Sequence, residues 1–437
     1  MNVAIIGLGF VGLTLALSLA DRGVKVFGVE KDQKSFSTLS KGIPTLKEKG
    51  IQRILERNIG KNFQVFQSLE EINSKISSFI ICVATPIKNG KLSTNQLKKA
   101  SEDVGKNITD NELIIVRSTI PIGTTRKVII PIIEKELKKK GIKESLNIVY
   151  APERTAEGIA LRELNELPQI VGGINEISII KAMDLFRNIT STVIQASSIE
   201  TAEMIKLIDN SFRDVRFAYS NEIALLCEQI GIDAHECITK SNIHYSRNNI
   251  ALPSPGVGGP CLSKDPYLLT SNNEIKKFIK NNQSVILTGR TFNESVPKHL
   301  AKKIIKKIKK KNDETIKIFV MGFAFKGEPE TSDVRQSPTL HVIKELKSDF
   351  QIFGHDPVVP KEIIENTGAI SCSLEEGFKN ANCVIIMNNH KFYRNLDIIE
   401  LLKNSSKSCI FVDCWRLYDK KMFLDSPNIE YSGIGIV

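Results

Sequence analysis

A chain of 437 residues with 60 Lys plus Arg against 49 Asp plus Glu carries a formal net charge of +11, and at roughly 100 to 200 residues per domain its length fits two to four domains. With 41% hydrophobic and 25% charged residues, the composition excludes the disordered and collagenous classes. The longest apolar stretch, GLGFVGLTLALSLA, is broken by glycines and preceded by nothing basic; it falls short of the ~18 residues a spanning helix needs and does not read as a signal peptide, so a cytoplasmic protein without a membrane segment is expected.

The chain opens on a strand, a glycine turn, a helix and a second strand. Residues 2–6 are an apolar run rich in β-branched side chains, Gly7-Leu8-Gly9-Phe10-Val11-Gly12 follows, 13–22 have a helical pattern, and 24–29 form a second strand ending at Glu30. This is the first βαβ unit of a dinucleotide fold. Gly7 permits the tight turn, Gly9 lets backbone approach a pyrophosphate, and Gly12 allows helix to pack closely on strand, with the helix N-terminus facing the negative charge. Phe10 and Val11 of the turn count among the candidate cofactor contacts. Glu30, 18 positions beyond Gly12, can accept hydrogen bonds from a ribose diol and would repel a 2′-phosphate, so NAD is expected in preference to NADP.

Strand-like runs at 79–84, 113–117, 147–150, 169–171 and 193–195, mostly separated by helical stretches, predict a parallel sheet with helices on its faces. Their C-terminal ends carry Thr85-Pro86, Ser118-Thr119 and Pro152-Glu153-Arg154, at the edge where open α/β sheets bind ligands. Residues 198–230 contain neither Gly nor Pro and predict a long helix of the kind that serves as a domain spine or an oligomer interface. Gly231 stops it. A Pro/Gly-rich loop at 252–260 leads into Cys261, and a further helical region ends in Lys302, Lys303, Lys306, Lys307, Lys309, Lys310 and Lys311 around Ile304, Ile305 and Ile308. The isoleucines make an apolar stripe and the lysines a solvated face; without aromatic interleaving or a binding motif, no nucleic-acid partner is expected.

Near residue 316 a second strand, turn, helix, strand pattern begins. It echoes the first without its three glycines and places Asp356 at a strand end. It reads as a Rossmann-like domain that no longer binds a dinucleotide, whose first loop offers Lys326 and Arg335 to phosphates. The expected architecture is α/β: two Rossmann-like doubly wound domains joined by a long central helix, divided as 1–196, 197–312 and 313–437.

The eight cysteines contain no Cys-x-x-Cys pair and the six histidines show no ligand spacing, so no metal site is expected. Cys261 lies in a loop rich in backbone N–H groups with Lys264 three residues on, both favouring thiolate. Cys82, Cys383 and Cys409, by contrast, lie within apolar runs. On the residues alone Cys261 is either a nucleophile or a packed thiol. Lys206 and Asn210, four apart, share one face of the long helix; from spacing alone a solvated stripe is the plainer reading.

GLGFVG, RSTIPIGTT, APERTAEG, AEMIKLIDNSFRDVRFAYSNEIALLCEQIGID, GVGGPCLSKDP and GFAFKGEPETSDVRQSP occur in this order over residues 7–338. With these motifs the chain resembles the UDP-sugar 6-dehydrogenase family over nearly its whole length. The resemblance implies oxidation of the C6 hydroxymethyl of a UDP-hexose to a carboxylate, with two NAD and with Cys261 carrying a thiohemiacetal and then a thioester. It implies that Lys206 and Asn210 stabilise oxyanions at C6, that Glu153 activates the hydrolytic water, and that Thr119 and Asp265 position a water for proton removal. Glu157 and Arg335 match positions near the nicotinamide end; Thr85, Thr119 and Lys264 are further candidate cofactor contacts, and Gly258 and Lys326 further candidate substrate contacts.

Arg154 stands where UDP-glucose enzymes of the family usually have Phe, and two extra residues separate Lys326 from Arg335. Both features imply a UDP-N-acetylhexosamine, UDP-N-acetylmannosamine first, with UDP-N-acetylglucosamine and UDP-glucose as alternatives, in the synthesis of surface-polysaccharide precursors. Arg247 either reaches the sugar or diphosphate across a homodimer interface or is a surface cation. Glu30 replaces the family's commoner aspartate. Arg416 lies three residues after Asp413 where the family often has an arginine two after, so a substrate contact is not carried over to it. A one-step β-hydroxyacid dehydrogenase would leave Cys261 and everything after residue 310 unexplained. A non-catalytic NAD-binding sensor would not require Cys261, Lys206 and Glu153 together.

Overall fold

Strands that alternate with helices along this chain assemble into two main sheets, one in each of two units, with a small two-stranded sheet beside the first. The computed structural model describes residues 1–88, 91–109, 111–142, 146–308 and 316–436. One unit comprises Met1–Asp209 with Tyr267–Lys277, the other Asn210–Pro266 with Phe278–Val437.

The first unit contains β1 (Asn2–Ile6), β2 (Lys25–Val29), β3 (Phe63–Phe66), β4 (Ser78–Ile81), the two-stranded hairpin β5 (Ile87–Lys88) and β6 (Lys91–Leu92), β7 (Leu113–Val116), β8 (Asn147–Tyr150), β9 (Gln169–Gly173) and β10 (Val193–Gln195). Its main sheet runs β10-β9-β8-β7-β4-β1-β2-β3. Period-two alternation puts Val3 and Ile5 in one core with Leu13 and Leu17 of the first helix (Phe10–Asp21), and Ala4 and Ile6 in another with Ile114 and Val116. Both faces are covered, which is why these strands read as continuous apolar runs. Strand order reverses beside β1, between β2 and β4, so the crevice for a ligand lies beyond the C-terminal ends of these strands. The sheet is not wholly parallel as expected: β8 and β9 pair antiparallel, Val149 opposite Gly173, because the connection between them turns the chain back along the sheet without crossing over it.

In the second unit β11 (Lys317–Met321), β12 (Gln351–His355), β13 (Ile370–Ser371), β14 (Cys383–Ile386), β15 (Cys409–Asp413) and β16 (Ile429–Ser432) form a sheet ordered β13-β12-β11-β14-β15-β16. All its pairings are parallel. Ile318 and Val320 face one core, Phe319 and Met321 the other.

The central helix spans Ile199–Ile230, 32 residues, about 48 Å at 1.5 Å per residue. Its polar and apolar faces are inverted relative to a surface helix. Glu203, Lys206, Asn210, Asp214 and Asn221 are buried, whereas Ile208, Phe212, Tyr219, Leu226 and Ile230, at spacings of four and seven, are exposed. The helix Val285–Ile308 buries Ile304 and Ile308 as expected and leaves Lys302 and Lys306 exposed. Its lysine face is only partly solvated: Lys303 donates to Glu228 at 2.8 Å and Lys307 pairs with Glu430. Lys309, Lys310, Lys311 and the expected boundary at 312/313 lie outside the described residues. Among the described residues no helix is long and apolar enough to cross a membrane.

Candidate active site

The glycine turn of the first unit divides its work among its glycines. Gly7 adopts φ +91°, and a Cβ on Gly12 would stand 1.8 Å from the Gly7 carbonyl oxygen, so both serve the turn itself. A Cβ on Gly9 would meet nothing within 4 Å, which leaves room for a ligand to approach the backbone there. Gly9 is also the N-cap of the first helix and provides no capping side chain, which leaves helix N–H groups for a pyrophosphate. The helix therefore starts at Phe10, three residues before its periodic pattern does, with Phe10 and Val11 half-buried in its first turn. Glu30 is fixed by backbone: Leu8 N–H donates to Oε2 (3.1 Å) and Asp32 N–H to Oε1 (2.9 Å). The turn and its acidic residue thus fit a dinucleotide with a free ribose diol.

The strand-end residues of this unit are held together by buried polar contacts. Thr85 Oγ1 donates to the Thr119 carbonyl at 2.7 Å, leaving the half-buried Thr119 side chain at the sheet edge. Arg117, a residue the sequence analysis passed over, lies fully buried. It donates through Nε and Nη2 to Glu153 Oε2 (3.2 and 2.7 Å), through Nη2 to Gln169 (3.0 Å) and through Nη1 to the Ala151 carbonyl (3.2 Å). The N–H groups of Arg154 and Thr155 donate to Glu153 Oε1 at 2.7 and 2.8 Å. Burial alone would raise the Glu153 pKa, but the Arg117 charge and these hydrogen bonds outweigh it and hold the carboxyl below its usual range.

Arg154 is half-buried, its Nε donating to Asp209 of the central helix at 2.8 Å. Glu157 is half-buried in the loop that follows. Glu203 accepts from the N–H groups of Gly123 (2.5 Å) and Thr125 (3.0 Å), fixing the loop after Thr119; burial pushes its pKa up. Lys206, one turn on, is 7% exposed and Asn210 4%. A solvated stripe is therefore excluded.

Cys261 of the second unit is exposed, whereas Cys82 of the first unit and Cys227, Cys383, Cys409 and Cys414 of the second are buried. Burial pushes the Cys82 thiol up to about 12 and that of Cys414 well above its ordinary value. The packed-thiol reading of Cys261 is thus overturned. Cys261 opens a tight turn whose carbonyl accepts from Lys264 N–H (3.0 Å) and Asp265 N–H (2.9 Å). Lys264 is half-buried, and Asp265, 1% exposed, accepts from Asn210 Nδ2 at 2.5 Å. The turn that carries the thiol is in this way tied to the central helix. Gly258 has a packing reason for lacking a side chain, since a Cβ there would stand 2.4 Å from the Gln336 carbonyl oxygen.

The other candidates of this unit occupy its loops. Arg335 is exposed and paired with Asp333 (Nε to Oδ2, 2.8 Å), and the Lys326 ammonium lies 5.6 Å from the Phe325 ring centroid. Arg247 is exposed with its guanidinium 4.6 Å from the Tyr245 ring centroid. Arg416 donates to Asp233 at 2.6 Å; this ion pair accounts for it as a structural residue. Arg117 and Glu203 carried a usable signal: an arginine ending an apolar strand run must find a partner, and Glu203 shares the face of Lys206 and Asn210.

Models of the UDP-glucose/GDP-mannose dehydrogenase family match the chain in three parts: the NAD binding domain over residues 1–190, the central domain over 200–295 and the UDP binding domain over 319–420. The chain belongs to the UDP-glucose/GDP-mannose dehydrogenase family. It is similar, at 31% identity over 98% of its length and 93% of the relative's, to the UDP-N-acetyl-D-mannosamine dehydrogenase of Methanococcus vannielii. A Campylobacter jejuni protein of the same name is 31% identical over 89% of this chain and 95% of its own. Among solved structures, the UDP-D-ManNAc dehydrogenase of Pyrococcus horikoshii superposes with a TM-score of 0.88 at 30% identity, covering 100% of this chain and 99% of that one.

As a UDP-glucose/GDP-mannose dehydrogenase the protein is an NAD-dependent nucleotide-sugar oxidoreductase. Its dinucleotide selectivity is expected to follow from Glu30. A 2′-phosphate beside this carboxylate costs several kcal/mol, so kcat/KM with NADP should lie about a hundredfold or more below that with NAD. Glu30→Ala should narrow the gap. Equal turnover with both dinucleotides in the wild type would show that Glu30 does not read the ribose.

Proposed function

We propose that the protein oxidises C6 of UDP-N-acetyl-D-mannosamine to the carboxylate, in two oxidation steps on one enzyme-bound sugar, with Cys261 as the nucleophile. The observation that carries the mechanism is that Cys261 is exposed on a turn whose next acidic residue, Asp265, is bonded to Asn210 of the central helix. The choice of sugar is supported by the names of the relatives and by Arg154 after the Pro-Glu pair. NAD, when bound, supplies the hydride acceptor for each oxidation.

The chain's own residues do the rest. Thr119 and Asp265 position a water that takes the hydroxyl proton, and Lys206 and Asn210 donate to the oxygen on C6 as it gains negative charge. The Cys261 thiolate adds to the aldehyde carbon and holds it as a thiohemiacetal; loss of the second hydride leaves a thioester. Water then adds to the thioester carbon, the C–S bond breaks, and the sugar leaves as carboxylate while the sulfur returns as thiolate. Glu153, kept ionised by Arg117, is the carboxylate proposed to orient that water. Gly7, Gly9, Gly12, Phe10, Val11, Glu30, Thr85, Thr119, Glu157, Lys264 and Arg335 are proposed cofactor contacts, and Arg154, Arg247, Gly258 and Lys326 substrate contacts. In this scheme residues 1–196 hold NAD, 197–312 carry the nucleophile and 313–437 hold the UDP moiety.

Counting NADH per sugar with a panel of UDP-hexoses tests the proposal: two NADH with UDP-N-acetylmannosamine, and slower or no reaction with UDP-N-acetylglucosamine and UDP-glucose, are expected. One NADH per sugar, or preference for UDP-glucose, would overturn it.

We further propose that the enzyme works as a homodimer in the cytoplasm. An exposed row of Ile208, Phe212, Tyr219, Leu226 and Ile230 on one helix is apolar surface that a monomer would leave in water. Light scattering at micromolar concentration should give twice the monomer mass, and Phe212→Glu with Leu226→Glu should reduce it to one. A monomeric wild type would refute the dimer.

A further inference from the structure

The inverted polar face of the central helix continues beyond Asn210 into residues that the proposed chemistry does not use. Asp214 is fully buried, and so is Arg290 of the helix Val285–Ile308. Arg290 Nη1 donates to Asp214 Oδ1 at 2.8 Å, and Asn293, one turn on, donates through Nδ2 to the same oxygen (2.9 Å) and to the Asp214 carbonyl (2.8 Å). Isolated, either charge would be prohibitively costly to bury; together they are neutral and hydrogen-bonded. Replacing such a pair by apolar side chains is often neutral or stabilising, so stability alone gives no account of why these two charges lie here.

What Arg290 holds besides Asp214 supplies one. Its Nη1 donates to the carbonyl of Leu262 (3.1 Å) and its Nη2 to the carbonyl of Val257 (3.2 Å). These carbonyls lie on either side of Cys261. The same two helices grip the loop again at its start: Asn293 Oδ1 accepts from Asn221 Nδ2 (3.0 Å), and Asn221 Oδ1 accepts from the Ser254 N–H (2.8 Å). A lysine could neutralise Asp214 but has no planar fork with which to reach two carbonyls and a carboxylate at once.

We propose that Arg290, oriented by Asp214, is a positioning residue that fixes the nucleophile loop on both sides of Cys261 and so sets the thiol where it can meet the sugar aldehyde. The assignment rests on Cys261 being the nucleophile. Burial pushes the Asp214 pKa up to about 6 against the opposing influence of Arg290 and Asn293, with Glu294 adding to the rise, which marks this carboxylate as one kept buried at a cost.

The test uses the full-length enzyme with Arg290→Lys. One readout is steady-state turnover with NAD and UDP-N-acetylmannosamine. The other needs no substrate: labelling of Cys261 by iodoacetamide, resolved by peptide mass, with the exposed Cys237 as internal reference. Misplacement of a reacting group by ~1 Å costs on the order of a hundredfold; kcat should fall by about that factor, with KM for NAD within about twofold of wild type. The Cys261-to-Cys237 labelling ratio should change about threefold or more. If Arg290→Lys does not fold, the near-isosteric Asp214→Asn decides by the same readouts, with about a tenfold loss of kcat expected because position 214 keeps one acceptor but loses its charge, leaving Arg290 the half-exposed carboxylate of Glu294 at 3.3 Å. A folded variant with wild-type kcat, or with lowered kcat and an unchanged labelling ratio, would overturn the proposal. If instead Cys261→Ala kept full activity, the nucleophile assignment beneath it would be the one to fall.

Discussion

Replacing Cys261 by Ala is expected to abolish the double oxidation, lowering two-NADH turnover by on the order of a thousandfold or more, as loss of a covalent nucleophile does. The variant keeps Gly7, Gly9 and Gly12 for the cofactor, and Lys206 and Asn210 for the C6 oxygen, so NAD and the UDP-sugar should still bind. Without a thiol to hold the aldehyde, any residual oxidation should stop near that stage. Cys261→Ser should behave differently: its oxygen adduct can form, but an ester releases its alcohol less readily than a thioester releases its thiol. A slowly hydrolysed adduct is then expected by intact mass. A one-step β-hydroxyacid dehydrogenase would keep most of its activity in both variants, and a non-catalytic sensor would have no NADH production to lose. Two NADH per sugar from Cys261→Ala, at a rate within a few-fold of wild type, would show that the cysteine is not the nucleophile.

The second large effect is expected at the buried pair of Arg117 and Glu153. Arg117→Met leaves a carboxylate inside the first unit with neither its counter-charge nor its guanidinium donors, a change that costs about 3–5 kcal/mol and should lower the melting temperature by roughly 10 °C for a unit of this size. The acid side of the stability profile carries the more specific signature. In the wild type the Glu153 pKa lies below its ordinary value. The stability this carboxylate contributes is therefore fully present above the unfolded value and is lost as pH falls through the folded one. With Arg117 gone, burial becomes the dominant influence and raises the pKa above the unfolded value. The same carboxylate then makes the variant less stable as pH rises through the acid range. Thermal melts from about pH 2 to 7 should show that contribution change sign between the two proteins. Parallel profiles would mean that Arg117 does not keep Glu153 ionised. Glu153→Gln adds a catalytic readout, because accumulation of a covalent adduct on Cys261 is expected if Glu153 serves the hydrolytic water.

How much of this was legible in the chain itself depends on how far apart in sequence the cooperating residues lie. Gly7, Gly9, Gly12 and Glu30 fall within 24 residues, and a βαβ unit of that span has few ways to fold, so turn, helix and dinucleotide preference could be read directly. The central helix was readable for a similar reason: its 32 residues contain no breaker. The spacing of Lys206 and Asn210 put them on one face, but it could not say whether that face was wet.

Burial decided that question, and burial is a property of the packed structure. The helix turns its charged face inward and leaves Phe212, Tyr219 and Leu226 outside, against the ordinary expectation from amphipathic pattern. Pairs such as Arg117 with Glu153, 36 positions apart, and Asp214 with Arg290, 76 apart, leave no local periodicity to detect; only packing brings them within hydrogen-bonding distance, where each charge makes the other's burial tolerable. The direction of β9 is of the same kind, since an apolar run reads identically in a parallel and an antiparallel pair. Local chain geometry, then, determined from sequence alone where the cofactor turn and the long helix stand, while the candidate nucleophile was singled out only by the ordered motifs around it. Tertiary structure decided which charges are buried together and which apolar side chains are left exposed, because desolvation and Coulomb attraction act between residues that only the fold makes neighbours.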